Sequence, residues 1–304
     1  MLGKNKKPIN NKKSKANNII RAVWRKYVEI LPVSASKILY YHAFHQKLNL
    51  KMPVTFNEKL MYLKIYEYTN NPLVRQCIDK YEVRKYVNEK GCGDLLNDLL
   101  GVWNSVEEIE WGKLPNQFVL KCNHGCKMNI ICDNKELFDI DDAKIKLNKW
   151  MHQKFWNELA ETNYKGISHK IICERYLSTS EGFLPNDYKI YCFNGKPRLV
   201  LVCTERSENL RLSFFDLDWK PLDIGTDSND IGIMMPISFS QMLRASEKLA
   251  KDFPFVRVDF YQYRDRPVFG EMTFTPAACT AQYYNDEGNR LLGDLLVLPR
   301  QFTN

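Results

Sequence analysis

No apolar run in this 304-residue chain approaches the ~18–20 residues of a membrane span, which excludes a helical membrane-spanning protein. The N-terminus lacks the apolar core and small-residue cleavage site of a secretory signal, so the chain is expected to stay in the cytoplasm. Nine cysteines occur, at 77, 92, 122, 126, 132, 173, 192, 203 and 279. An odd number without framework spacing excludes a disulfide scaffold and fits reduced thiols. Cys122-x-His124-x-Cys126 has no second ligand pair at finger-like spacing, which argues against structural zinc. There is no internal repeat, and no Ser/His/Asp or Cys/His grouping that would supply a side-chain nucleophile. Acidic residues are missing from the first 26 positions, which hold nine Lys and Arg. Subtracting these nine from the net +8 leaves −1 for the remainder, so basicity is a property of the N-terminal segment and nucleic acid is not an expected partner.

What is present supports a substantial core: 44% of residues are hydrophobic, enough for one large domain or two to three small ones. Residues 1–18 read as a basic, Asn-rich disordered tail. Residues 19–52 read as an amphipathic helical segment, in which Ile19, Ile20, Val23, Trp24, Tyr27 and Val28 fall at helical spacing with Arg21, Arg25 and Lys26 between them. Two roles stay open for residues 1–28. One is contact with an anionic membrane surface, and the other is a solubilising tail leading into a helix packed on the body.

Further along, Thr55-Phe-Asn-Glu58 is a capping box that predicts a helix through about Tyr68. Asn71-Pro72 opens another, running to Gly91. Phe118–Lys121 reads as a strand that runs into the polar loop 123–129, and Ile130–Cys132 resumes as strand. Asp139 to Trp156 reads as a helix with an apolar stripe of Ala143, Leu147, Trp150, Met151 and Phe155. Ile171–Leu177 is a buried-type strand. Tyr188–Phe193 and Pro197–Cys203 flank Asn194-Gly195, the pair that favours a type I′ hairpin turn. Arg211 to Trp219 reads as strand and turn, and Ser238-x-x-Gln241 caps a helix to about Lys251. Helices first, then mixed elements, then antiparallel hairpins predict an α+β fold.

The last hairpin carries the chemistry. Arg257-Val-Asp259 and Gly270-Glu271-Met-Thr273 flank a short polar turn, so pairing brings Asp259 opposite Glu271 with Arg257 and Thr273 beside them. Facing carboxylates repel unless a proton or cation lies between them. Such a pair suits Mg²⁺, which takes one or two carboxylates and fills its other positions with phosphate and water; an ordinary surface salt bridge is the alternative. Lys80, Lys121 and Lys189 stand on or beside the preceding elements, and three lysines with an arginine at one cleft would suit a nucleotide triphosphate.

The order and wording of these stretches resemble the TupA-like family of the ATP-grasp superfamily. The resemblance rests on Thr55–Leu60, Asp79–Arg84, Leu114–Gly125, Asn186–Lys189, Phe193–Lys196, Phe215–Trp219, Lys251–Asp259 and Phe269–Pro276. It implies two α+β subdomains clasping ATP, a nucleotide-binding one over 116–180 and a metal-bearing one over 181–300, preceded by a helical region over 53–115. It further implies that Lys80 and Lys121 contact the α- and β-phosphates, and that loop residues His124, Gly125, Lys127 and Asn129 close over the triphosphate. Glu174, Tyr176 and Leu177 would read adenine, Glu181 the ribose. Lys189 would make a further phosphate-side contact, Arg257 would act at the γ-phosphate, and Asp259, Glu271 and Thr273 would hold Mg²⁺.

In two places the chain departs from the family. Thr273 stands where the superfamily usually has Asn, and Cys126-Lys127-Met128 replaces a glycine-rich run in the loop. The implied activity is a carboxylate–amine ligase working through an acyl phosphate in cell-surface polysaccharide synthesis. It would join an amino acid to a uronic acid or acidic glycan. Arg206 and Arg211, which follow the 188–203 hairpin, are read as binding the acidic acceptor. A phosphotransferase acting on a sugar, and a non-catalytic nucleotide- or glycan-binding scaffold, are the alternatives. The setting would be cytoplasmic, at the inner membrane face.

Overall fold

The structure, a computed structural model, describes residues 11–178, 185–204, 210–227 and 232–299. Two helices open it, α1 (Asn11–Ile30) and α2 (Pro32–Phe44). The first helix therefore begins inside the 1–18 segment expected as a disordered tail. Its C-terminal half is anchored, since Trp24 Nε1–H donates to the Glu158 carbonyl at 2.9 Å and Val28 packs with Ala35 and Ala160. Once that half is fixed, adding turns toward the N-terminus costs only propagation, not nucleation.

The capping box forms as the sequence predicts: the Glu58 amide donates to Thr55 Oγ1, and the Thr55 amide to Glu58 Oε2 at 3.0 Å. It opens α3 (Phe56–Tyr62), which widens into a π turn over Leu63–Glu67. The helix expected from 71 to 91 is instead two, α4 (Pro72–Ile78) and α5 (Val83–Glu89). Asp79 breaks it: Oδ1 accepts from the Tyr81 and Glu82 amides while Oδ2 accepts from Asn123 Nδ2 at 2.9 Å. These bonds aim Lys80 out of the break instead of along a helix face.

The first sheet contains β1 (Leu99–Trp103), β2 (Phe118–Cys122), β3 (Asn129–Cys132) and β4 (Ile171–Arg175), in the order β1-β4-β2-β3 and antiparallel throughout. It thus begins ahead of residue 116. Against it lies α6 (Ile140–Met151), whose Leu147 joins the buried cluster beneath β2 and β4. This helix ends at Met151, before Trp156, and imidazoles help satisfy its last carbonyls. His124 Nε2 pairs with the Trp150 carbonyl at 3.1 Å, which also accepts the Gln153 amide at 2.9 Å, and His169 Nδ1 pairs with that of Met151 at 2.7 Å.

The second sheet contains β5 (Asp187–Phe193), β6 (Lys196–Thr204), β7 (Arg211–Asp216), then after α7 (Phe239–Ala250), β8 (Phe255–Tyr263) and β9 (Arg266–Thr273). Its order is β7-β6-β5-β8-β9, again antiparallel. Asn194 and Gly195 both take positive φ, 48° and 81°, as a type I′ turn requires. Ser238 precedes α7, but its hydroxyl bonds Gln262 Oε1 at 3.0 Å instead of capping the helix. A final helix, α8 (Asp286–Leu295), packs on α3 so closely that a Cβ on Gly293 would lie 2.3 Å from the Val54 carbonyl. Two antiparallel sheets with helices packed against them are the expected α+β arrangement, and the cleft of interest lies between the sheets.

Candidate functional site

Register places the second sheet's charges in one row. Lys189 on β5 is paired with Asp259 on β8, and Asp259 with Glu271 on β9, while Arg257 faces Thr273 one step along the same face. The two carboxylates do face one another, and cations stand between and around them. Arg257 holds Asp259 through two parallel bonds, Nε to Oδ1 at 2.8 Å and a terminal nitrogen to Oδ2 at 2.7 Å. Lys189 Nζ donates to the same Oδ2 at 2.8 Å and also to Asp187. Thr273 Oγ1 accepts from Arg257 at 3.1 Å and donates to Glu271 Oε1 at 3.1 Å.

The members of the pair differ in environment. Asp259 is buried, and that burial pushes its carboxyl up against the pull of Arg257 and Lys189. The Glu271 side chain keeps 40% of its surface exposed. Burial works to raise its carboxyl too, but Lys80, Lys189 and Arg257 outweigh that and hold it at about 2. Burial would lower the Lys189 ammonium; Asp259 and Asp187 reverse this and raise it.

From the first sheet, Lys121 Nζ donates to Glu174 Oε2 at 2.6 Å, and Arg84 of α5 lies 3.5 Å from Oε1. Lys80 joins the two halves. Its Nζ donates to the Gly125 carbonyl at 2.7 Å and sits 3.8 Å from Glu271 Oε2. Between the sheets is a cleft of about 120 Å³, walled by Val119, Lys121 and Glu174 on one side and Tyr261, Val268 and Phe269 on the other. Asn129, Tyr176 and Leu177 also line it.

The loop after β2 keeps a tight conformation with Gly125 as its one glycine. Lys127 takes φ 58°, in the left-handed region that glycine occupies without strain. Met128 is buried in the first sheet's core, and its carbonyl accepts from the Cys122 amide at 2.9 Å, which closes the loop. Lys127 itself is exposed.

Not every expected residue meets at the cleft. The His124 ring is buried, stacked on His169 with centroids 3.5 Å apart, and turned toward α6. Burial, with His169 beside it, lowers this imidazole to about 4, so it is a neutral packing group here. Arg211 opens the edge strand β7, with β6 and β5 between it and β8. Glu181 and Arg206 lie outside the described residues.

Conversely, Asp187 and Arg84 join the network without having been anticipated. Asp187 stands two residues before Lys189 on one strand, so period-two alternation is the signal that puts them on one face. Arg84 lies four residues beyond Lys80, but the break at Asp79 hides that spacing. Glu161 had no sequence signal: it is buried below the site, where its Oε1 accepts from Thr275 Oγ1 at 2.7 Å.

Among the described residues no group of three or more His, Cys, Asp or Glu could hold a metal. Asp259 and Glu271, with the Thr273 hydroxyl, form a smaller all-oxygen set. That set fits Mg²⁺ with phosphate and water completing its shell. Among the same residues no helix is long and apolar enough to cross a membrane.

The TupA-like ATP-grasp family model matches residues 58–297. No curated protein matches the chain. Among solved structures it is similar to a D-alanine–D-alanine ligase from Bacillus anthracis complexed with ATP, with 17% identity, a TM-score of 0.38, and 65% of this chain and 53% of that one covered. A D-cycloserine synthetase shows 14% identity and a TM-score of 0.42 over 78% of this chain and 77% of that one. The phosphoribosylamine–glycine ligase of Thermotoga maritima shows 12% identity and a TM-score of 0.40 over 70% and 52%. The chain thus spans about half the length of the first and third of these enzymes. Such likenesses are slight, and the assignment rests on the family model, which covers most of the chain: the protein belongs to the TupA-like ATP-grasp family.

Proposed function

We propose that the cleft binds ATP with Mg²⁺ and that the protein is an ATP-dependent carboxylate–amine ligase. The observation that carries this reading is the convergence of Lys121 and Glu174 from one sheet with Lys189, Arg257, Asp259 and Glu271 from the other, joined by Lys80. In this reading residues 116–180 hold the base, between Val119 and Phe269 and beside Glu174, Tyr176 and Leu177, and 181–300 carry the metal side. Lys80, Lys121 and the amides of Gly125 to Asn129 meet the α- and β-phosphates. Asp259 and Glu271 would hold Mg²⁺, with Thr273 beside them directly or through water, and the ion would supply neutralisation of phosphate charge. Arg257 and Lys189 bind the same Asp259 oxygens that the ion would take. A triphosphate offers both cations a second anionic partner, so loading exchanges ion pairs without stranding a charge.

The chemistry follows from position. A substrate carboxylate oxygen attacks the γ-phosphorus in line, and the bond to the ADP oxygen breaks. An amine then attacks the acyl carbon, loses a proton, and expels phosphate to leave an amide. Arg257 and Lys189 neutralise charge at the transferred group. The substrates we assign are an amino acid and a uronic acid or acidic glycan. The setting is the cytoplasmic membrane face, where lipid-linked glycans are assembled.

A screen for ADP release over amino acids paired with uronic-acid glycans tests this, with mass analysis of the product. Amide formation with ADP and phosphate is expected. A phosphorylated sugar without amide would make the protein a phosphotransferase, and nucleotide binding with no turnover on any pair would make it a scaffold.

A further inference from the structure

Residues 1–57 hold twelve Lys and Arg and a single acid, Glu29. The fold turns that acid inward: Glu29 Oε1 accepts from Lys154 Nζ at 3.1 Å and from Asn157 Nδ2 at 3.2 Å. Trp24 and Val28 occupy the same inward side, and Arg25 pairs there with Glu158. One face thus fixes α1 to the body as a preformed helix, and the residues that do so include two of the apolar positions that read as a membrane-facing stripe in sequence.

The outward face is different in kind. Ile19, Ile20 and Val23 are each 65% exposed and Ile30 is 64% exposed. Ile19, Val23, Lys26 and Ile30 recur at spacings of four, three and four, which places them on one stripe with a cation inside it, 71% exposed and 3.4 Å from Glu29 Oε2. Leu31 and Val33 carry exposed apolar surface round the corner into α2. This is a surface of aliphatic groups and positive charge, preceded in sequence by Lys4, Lys6, Lys7, Lys12, Lys13 and Lys15. A second copy of the chain would bring two faces of the same sign together, which opposes self-association.

We infer that the α1 stripe docks the protein on an anionic phospholipid surface. Ile19, Val23 and Ile30 enter the boundary between headgroups and acyl chains, and Lys26 meets lipid phosphate. This deepens the siting given to the proposed ligase, but vesicle binding needs no nucleotide and stands apart from the chemistry.

Flotation of the full chain with large unilamellar vesicles tests it, using one set one-third phosphatidylglycerol and another of phosphatidylcholine alone. Ile19→Glu/Val23→Glu is compared with Leu137→Glu, a control at an apolar residue 84% exposed elsewhere on the surface. Wild type is expected on the anionic vesicles only, with binding weakened by salt. The double variant should lose at least about tenfold in partitioning, and the control should match wild type. A thermal shift with Mg²⁺ and a non-hydrolysable ATP analogue, run on all three proteins, reports the fold and the nucleotide site independently. The inference is overturned if wild type fails to bind anionic vesicles, or if the double variant binds as well as wild type. It is equally overturned if sedimentation shows a wild-type dimer that the double substitution dissolves.

Discussion

Asp259 and Glu271 share one ladder position, yet their surroundings separate them. Asp259 is buried between Arg257 and Lys189, so Asp259→Asn leaves the buried Arg257 without its carboxylate partner and Lys189 with Asp187 alone. We expect urea unfolding of that variant to show a loss of about 3–5 kcal/mol. Glu271 is two-fifths exposed and its nearest cations lie 3.8 and 3.9 Å away. Solvent screens such pairs, so Glu271→Gln should cost under about 1 kcal/mol; equal losses for the two variants would contradict the asymmetry.

His124 makes a second prediction. Burial, aided by His169, depresses its folded pKa from 6.5 to about 4, so within that window the unfolded chain binds the extra proton. Its contribution is complete above the unfolded pKa and is lost as pH falls toward the folded one. Stability should decline over this window with a slope of up to about 1.4 kcal/mol per pH unit beyond that of His124→Gln. Parallel unfolding curves for the two proteins would remove His124 from the account.

Among elements, α8 makes the third prediction. Gly293→Ala improves helix propensity by about 1 kcal/mol, but its Cβ would meet the Val54 carbonyl at 2.3 Å. The clash is with backbone, so the net effect should be a loss of about 1–3 kcal/mol in unfolding free energy. A stabilised variant would show that α3 and α8 are not so closely apposed. The same glycines explain why α8 is hard to see in sequence, since Gly288 and Gly293 dilute a helical pattern that only packing rescues. Strand β1 is hidden for a related reason: a bulge between Leu99 and Gly101 breaks its alternation. The two hairpins of the second sheet are legible because turn chemistry and period-two patterning are local. The break at Asp79 and the early end of α6 are less legible, because Asn123, His124 and His169 bond there from distant points in the chain.

At the scale of the molecule, the site exists only because two sheets face each other. The series Lys80, Lys121, Glu174, Lys189, Arg257, Asp259 and Glu271 can be read from motif wording and order. Its pairing cannot: that Lys80 reaches both Gly125 and Glu271, or that Asp187 shares Lys189 with Asp259, follows from tertiary register. The loop carrying Cys126, Lys127 and Met128 is the stretch where the resemblance reads as weakest. It holds Lys127 in a left-handed conformation, anchored by Met128. The central claim is that this inter-sheet cleft is a Mg²⁺-dependent ATP site, and thermal unfolding with a non-hydrolysable ATP analogue tests it most directly. Wild type should be stabilised when Mg²⁺ and analogue are both present, by about 2.7 kcal/mol at a hundred times Kd, and Glu271→Gln should lose most of that gain. No stabilisation of wild type, or the same stabilisation in Glu271→Gln, would contradict it.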